Sequence, residues 1–325
     1  VHFALDPDTE AVRDAVGTFL QKECPPDLVR AAWAGGGMQP ATDLWTGLAS
    51  LGVLGMLAPP AAGGAGMDVL AAAVVLAEAG RVAAPLPLVG TVMVAVPLLA
   101  ASGDPTGILD EVISGEVVVS VVSEAGAPAA GRADWFITGP RPVLHPRRDV
   151  DLVPLRSVDR TRDLAAVMPN GEGTELTPTS VPMAERSALG AAAQLIGLGR
   201  GLLDQTVGYV KDRHQFGRPI GSFQAVKHRL ADTLLALEMA APPVWAAAHA
   251  LDTGAAGREP SVSLAKAMAS DAATTAARSA LQAHGAMGYT DDYHLHFWLK
   301  RVLCLASDHG SSRWHRARIA ATLGL

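Results

Sequence analysis

Cysteine is nearly missing: Cys24 and Cys304 are the only two in 325 residues. They have no metal-ligand spacing, so the sequence offers neither a disulfide framework nor a zinc site, and two ordinary thiols suit a reducing cytosol. Charge is sparse too, at 18%, against 49% apolar residues. That balance excludes a disordered chain and gives enough apolar mass for two or three domains with buried cores. Excess positive charge is lacking: the formal net charge is −6 and the pI about 5.9, which argues against a nucleic-acid partner. The one locally basic run, Arg313, His315, Arg316 and Arg318, reads as a solvated helix face. Long unbroken apolar stretches are also absent. The most apolar one, Val82 to Ala101, is interrupted by Pro85, Pro87, Gly90 and Pro97, which argues against a membrane span. The opening, acidic and amphipathic from Val1, reads as a first helix and not as a secretory signal. A soluble cytoplasmic protein with no membrane partner is the expectation. His214, His228, His284, His294, His296, His309 and His315 are scattered without companion ligands, so no metal site is expected. No glutamate follows Glu259.

Helical periodicity runs from Leu5 to about Ala101, with Asp8 or Thr9 as a cap, a loop around Gly35 to Pro40, and helices at about Thr42–Leu51 and Asp68–Ala79. After Gly107 the character changes. Glu116–Ser123, Trp135–Thr138, Asp149–Leu155 and Ala165–Met168 read as short strands separated by Pro, Gly and Asp. From about Ala184 long amphipathic helices return: Ser187–Asp212, Ser222 to about Ala250, Ser261–His284, about Asp292–Cys304 and about Ser311–Thr322. Long helices joined by short connections predict a bundle. Pro242 and Pro243 predict a kink or break in the second of them. The fold class is therefore α+β, with a helical domain over 1–110, a small β domain over 111–183 and a helical domain over 184–325.

The most informative stretch is VKDRHQFGRPIGSFQAVKHRL, Val210 to Leu230. Gly217, Pro219 and Gly221 interrupt a helical pattern, and Ser222 stands as an N-cap for a helix carrying Val226, Leu230, Leu234 and Leu237 on one face. A helix start beside Arg213 suits an anion, a guanidinium grips a pyrophosphate bidentately, and Phe216 and Gln224 offer a stacking face and a hydrogen-bonding edge to a base. Residue types alone favour a plainer arrangement, with Arg213 in a surface ion pair and Phe216 in the core.

Order and spacing add to this. Arg213 to Asp232 resembles the central signature of the acyl-CoA dehydrogenase family, an R-x-x-F-G-x-P-I-x-x-F-Q run that opens a C-terminal helical domain. The resemblance implies that Arg213, Phe216 and Gln224 reach across a subunit interface to the pyrophosphate and adenine end of a FAD held mainly by a neighbouring chain; His214 would add to the anion field. Gln282 to Arg301 resembles the family's Q-x-x-G-G-x-G-Y element, which carries Gln282 and Gly285 to the same pyrophosphate, with Ala286 in place of the second glycine. Gly285 or Gly288 as a helix C-cap is compatible with that role. Leu51 to Asp68 resembles the family's Gly/Pro-rich interhelical loop.

Other family positions are changed. The loop that contacts the flavin ring and thioester reads SEAGAPAAGRADWFITG, Ser123 to Gly139, keeping Ser123 and Glu124 and losing the Gly-Ser-Asp part. Dehydrogenation removes an α-proton with a carboxylate while hydride leaves the β-carbon for the flavin, so a well-placed glutamate is needed. The usual family position falls on His309, beside Asp308. A second lineage's position falls on Ser187, with Glu185 two residues away and about 200° around a helix. Asp308 and Glu185 are the candidate substitutes; otherwise this chain has no base.

The resemblance thus implies half of a pair: the shorter, base-lacking subunit of a heterotetrameric actinobacterial acyl-CoA dehydrogenase. It implies FAD as cofactor, a homologous full-length subunit as partner, and an acyl-CoA substrate, such as a CoA ester of a steroid side chain. An electron-transferring flavoprotein would be the acceptor. Two other readings stay open: a homo-oligomeric enzyme using Asp308 or Glu185, and a flavin-free structural subunit of the same fold.

Overall fold

In a computed structural model, residues 5–35, 37–177 and 181–325 are described. The expected first helix is α1, Pro7–Glu23; Val1 to Ala4, where that reading began, lie outside the described residues. Its cap is Asp6, not Asp8 or Thr9: the Asp6 carboxylate accepts from both their backbone N–H groups. Pro7 explains the difference, because a residue before proline is driven to extended backbone and proline at the first helical position has no N–H to satisfy. Next come α2 (Pro26–Gly35), α3 (Thr42–Ser50), and α4 (Val69–Arg81) with Asp68 as cap. A π-helical stretch, Val89–Ala95, runs into α5 (Val96–Ala101), and α6 spans Leu109–Ser114. Pro97 thus lies inside a continuous helix, and the carbonyl four residues before it, Met93 O, accepts from the Arg186 guanidinium at 3.4 Å.

The middle segment is a small β region. β1 (Val119–Val121) pairs in parallel with β2 (Trp135–Thr138), which pairs antiparallel with β3 (Val143–Pro146). A separate ribbon joins β4 (Val150–Pro154) to β5 (Ala165–Pro169), and β6 (Thr174–Glu175) closes the first sheet against β3. Both faces are covered: Phe136 packs into the main core on one side, and its neighbour Ile137 with the paired Leu144 into a second cluster on the other. β1 is only the centre of the expected Glu116–Ser123 run, and β3 and β6 are too short to show alternation in the sequence.

Five helices form the C-terminal segment: α7 (Met183–Asp212), α8 (Gln224–Asp252), α9 (Arg258–His284), α10 (Leu295–Ser307) and α11 (Ser312–Thr322). α7 packs directly on α4 of the first segment. Gly197 and Gly201 allow it, since a Cβ there would come within 1.8 Å of Ala77 O and 2.2 Å of Arg81 O. α8 packs on α9, where the Thr233 hydroxyl bonds Ser279 at 2.9 Å; by length and composition alone α8 could cross a membrane.

Several local expectations need correction. α8 starts at Gln224 with Phe223 as N-cap, and the Ser222 hydroxyl instead donates to Pro219 O. α8 runs through Pro242 and Pro243 without a break. The two carbonyls deprived of donors belong to Glu238 and Met239, which are exposed, so water can serve them. Leu237 is buried as its periodicity implied, but Leu234 is 47% exposed. The basic run on α11 is not simply solvated: Arg316 and Arg318 reach Asp271 and Glu259 on α9, and His315 is buried.

Candidate functional site

α7 ends at Asp212, and Arg213 turns the chain into a hairpin of β7 (His214–Gln215) and β8 (Arg218–Pro219). A two-residue turn of type I′, which matches right-handed strand twist, has positive φ at both positions. Phe216 and Gly217 supply it, at +53° and +78°. For phenylalanine that conformation costs about 1–2 kcal/mol, and it leaves the ring 90% exposed. Phe223 meets it edge-on at 6.1 Å, and the Arg218 guanidinium lies over Phe223 at 4.2 Å. Arg213 is exposed, and no carboxylate among the described residues pairs with it. Neither the surface ion pair nor the core phenylalanine that residue types allowed is present. Gln224, the first residue of α8, is exposed with its amide 3.4 Å from His228. His214 turns its Nδ1 to Asp212 O at 3.0 Å.

The second motif lies at the same end of the bundle. Tyr209, one turn before Arg213, stacks on His284 at 4.2 Å and donates its hydroxyl to His284 O at 3.4 Å. His284 closes α9, so Gln282 and Gly285 emerge beside the hairpin. Gln282 is exposed. Gly285 is the C-cap, with φ 58° and ψ −136°, a conformation that side chains rarely adopt, and nothing lies within 4 Å of where a Cβ would stand. Its C-cap role and an open face for close approach coexist.

The two family base positions also converge, on a different site. Ser187, Asp308 and His309 all line one cavity of about 80 Å³ where the three segments meet. Asp308, the C-cap of α10, is buried and paired with Arg162 from the turn before β5. Arg301 of α10 forms a second buried pair with Asp159, and also donates to Ala84 O at 3.0 Å and Thr161 Oγ1 at 2.5 Å. Lys266, fully buried beneath, donates to Ser270 Oγ, Ala306 O and Gly310 O at 3.0–3.3 Å, and burial pushes its pKa down to about 8. Burial likewise holds His309 down to about 4, against the attraction of Asp308. Glu185 sits in the first turn of α7 and is not among the cavity walls, as the angular offset from Ser187 implied. Ser123 lines the cavity while its hydroxyl donates to Gly126 O at 3.2 Å; Glu124 is exposed. Among the described residues no three of His, Cys, Asp and Glu gather to hold a metal.

A helical segment packed through glycines onto a helical bundle, with a small β region between, is the architecture of a flavin-dependent dehydrogenase acting on acyl thioesters. Residues 6–106 match the acyl-CoA dehydrogenase N-terminal domain and residues 180–324 its C-terminal domain. The acyl-CoA dehydrogenase IpdE2 of Mycolicibacterium smegmatis is 34% identical over 95% of this chain and 94% of its own. The chain belongs to the acyl-CoA dehydrogenase family, FAD-dependent oxidoreductases. Its fold is similar to a variant of the Tcur3481-Tcur3483 steroid ACAD, with TM-score 0.87 and 24% identity over 98% of each chain. The ChsE4-ChsE5 complex from Mycobacterium tuberculosis is similar as well, with TM-score 0.86 and 22% identity over 100% of this chain and 99% of that one.

The two sites differ in how they fit FAD. An exposed guanidinium, ring, two amides and a glycine face suit a pyrophosphate and a base. The inner cavity does not suit a flavin ring and an acyl chain, because sites for ligands of that size occupy roughly 300 Å³ or more and this one holds about 80 Å³.

Proposed function

We propose that this chain is the FAD-supporting, non-catalytic subunit of a heteromeric acyl-CoA dehydrogenase. Arg213 grips the pyrophosphate, Phe216 stacks on the adenine, Gln224 and Gln282 hydrogen-bond the nucleotide tail, and Gly285 lets it approach the backbone. The FAD sits mainly in a homologous full-length partner, and when bound it supplies the hydride acceptor. The partner's own carboxylate takes the α-proton of the acyl-CoA.

One contrast carries this reading: Arg213, Phe216, Gln224, Gln282 and Gly285 are exposed at one end of the bundle, while the chain's own inner pocket is small and walled by Arg162, Asp308 and Arg301, whose charges are paired within the protein. Presenting Phe216 to solvent at positive φ makes little sense for folding alone, and strained side chains of this kind cluster at binding sites. A self-sufficient homo-oligomer would need Asp308 as a free base, and Asp308 is engaged by Arg162. Glu185 faces away from the cavity. A CoA ester of a steroid side chain is the proposed substrate, in keeping with similarity to a structure described as a steroid ACAD, and an electron-transferring flavoprotein is the proposed acceptor.

Co-expression tests the pairing. Purified alone, the chain should be colourless and inactive; with a full-length homologous subunit it should form a yellow complex whose flavin is bleached by acyl-CoA. A chain that alone carries stoichiometric flavin and bleaches it with acyl-CoA would overturn the proposal, and a mixed complex without flavin would favour a structural subunit.

A further inference from the structure

We propose that the inner cavity is a binding site for a small uncharged molecule with one hydrogen-bonding head group and a short apolar tail. Ser187 and Gln194 lie seven residues apart on one face of α7, are only 6% and 5% exposed, and both line this cavity. Neither side chain makes a hydrogen bond to any described residue. The His309 imidazole, on the facing wall, likewise has no partner, although its backbone carbonyl accepts from or faces His315 Nε2 at 3.0 Å. Two buried polar side chains and a half-buried imidazole that face one small space without a protein partner point to an occupant that meets them, since polar groups left unmet cost free energy. A pocket that had simply collapsed would be expected to close with apolar contacts instead.

The remaining wall decides the chemistry. Pro85, Leu86, Val121 and Leu305 make it apolar. The charges that reach it cancel, Arg162 against Asp308 and Arg301 against Asp159, so nothing is left to hold an ion. Two wall residues, Ala129 and His309, hold φ at +53° and +55°. Such backbone persists only where its surroundings over-determine it, and it gathers at ligand sites. A cavity of about 150 Å³ admits benzene, so one of about 80 Å³ takes on the order of four or five non-hydrogen atoms. This inference does not depend on how the chain supports FAD.

Propionamide, propionate and the intact chain make the test, read by isothermal titration and by a crystal structure with propionamide. Propionamide should bind in the cavity, propionate, its charged counterpart, should not, and Gln194→Leu should weaken propionamide by about tenfold or more. Ser187→Ala, a smaller change, should weaken it in the same direction if Gln194→Leu disturbs folding. The proposal is overturned if propionamide fails to bind, if it binds both variants as well as the parent, or if the cavity holds only ordered water in its presence.

Discussion

Asp308 of α10 and Arg162 of the middle segment, 146 residues apart in the chain, meet as an ion pair with both side chains almost fully buried. Removing one partner of such a pair strands the other. Asp308→Asn should therefore cost about 3–5 kcal/mol of stability while leaving turnover of the complex within about twofold, since Asp308 takes no proton. Arg162→Leu with Asp308→Leu should recover most of that stability. Urea unfolding alongside steady-state turnover checks both; turnover lost with stability intact would make Asp308 the base.

Arg213 should behave as a ligand for phosphate. Hydrogen bonds to charged groups contribute about 1.5–3 kcal/mol each, so Arg213→Ala should weaken FAD in the complex by about 10- to 100-fold. Arg213→Lys should restore only part of it, because an ammonium cannot make the bidentate contact. Flavin retained after gel filtration reads the effect, and unchanged retention in Arg213→Ala would remove Arg213 from the cofactor site.

Phe216 sets binding against folding. Phe216→Gly relieves the positive φ and should raise the stability of the isolated chain by about 1 kcal/mol, yet it removes the stacking face and should weaken flavin in the complex by about tenfold. Thermal unfolding of the chain and flavin titration of the complex should move in opposite directions. A variant that destabilises the chain and binds flavin normally would show Phe216 to be structural.

Acid should unfold the chain through its buried histidines. His309 and His315 are both held down to about 4 by burial, and burial lowers His284, His294 and His296 as well. The unfolded chain takes up these protons near pH 6.5; the folded one takes up all five at lower pH, and those of His309 and His315 only at about pH 4. Stability present above pH 6.5 is thus lost steadily as pH falls toward 4. His309→Asn, which tolerates the positive φ, should flatten that slope by close to one proton. Urea midpoints at pH 7 and pH 5 measure it, and an unchanged slope would place the proton uptake elsewhere.

Much of this was legible in the sequence. Arg213, Phe216 and Gln224 lie within twelve residues, so order and spacing single them out as candidates without knowledge of the fold; β2 and the start of α11 are equally local. What stayed hidden was set at a distance. Arg301 and Asp159 are 142 residues apart, and nothing near either marks it as buried. Arg162 is one of several arginines in the middle segment, and the unpartnered Gln194 reads as an ordinary polar residue in an alanine-rich helix. Pro242 and Pro243 do not break α8; local propensity does not register that the freed carbonyls belong to exposed residues within reach of water. Asp6 caps α1 ahead of Asp8 and Thr9 because Pro7 drives it to extended backbone.

The ratio of flavin to chains in the purified mixed complex tests the central claim most directly. One FAD for each pair of unlike chains, with its adenine end against Arg213 and Phe216, is the predicted result. One FAD per chain, with a flavin ring seated between Ser187 and Asp308, would contradict it.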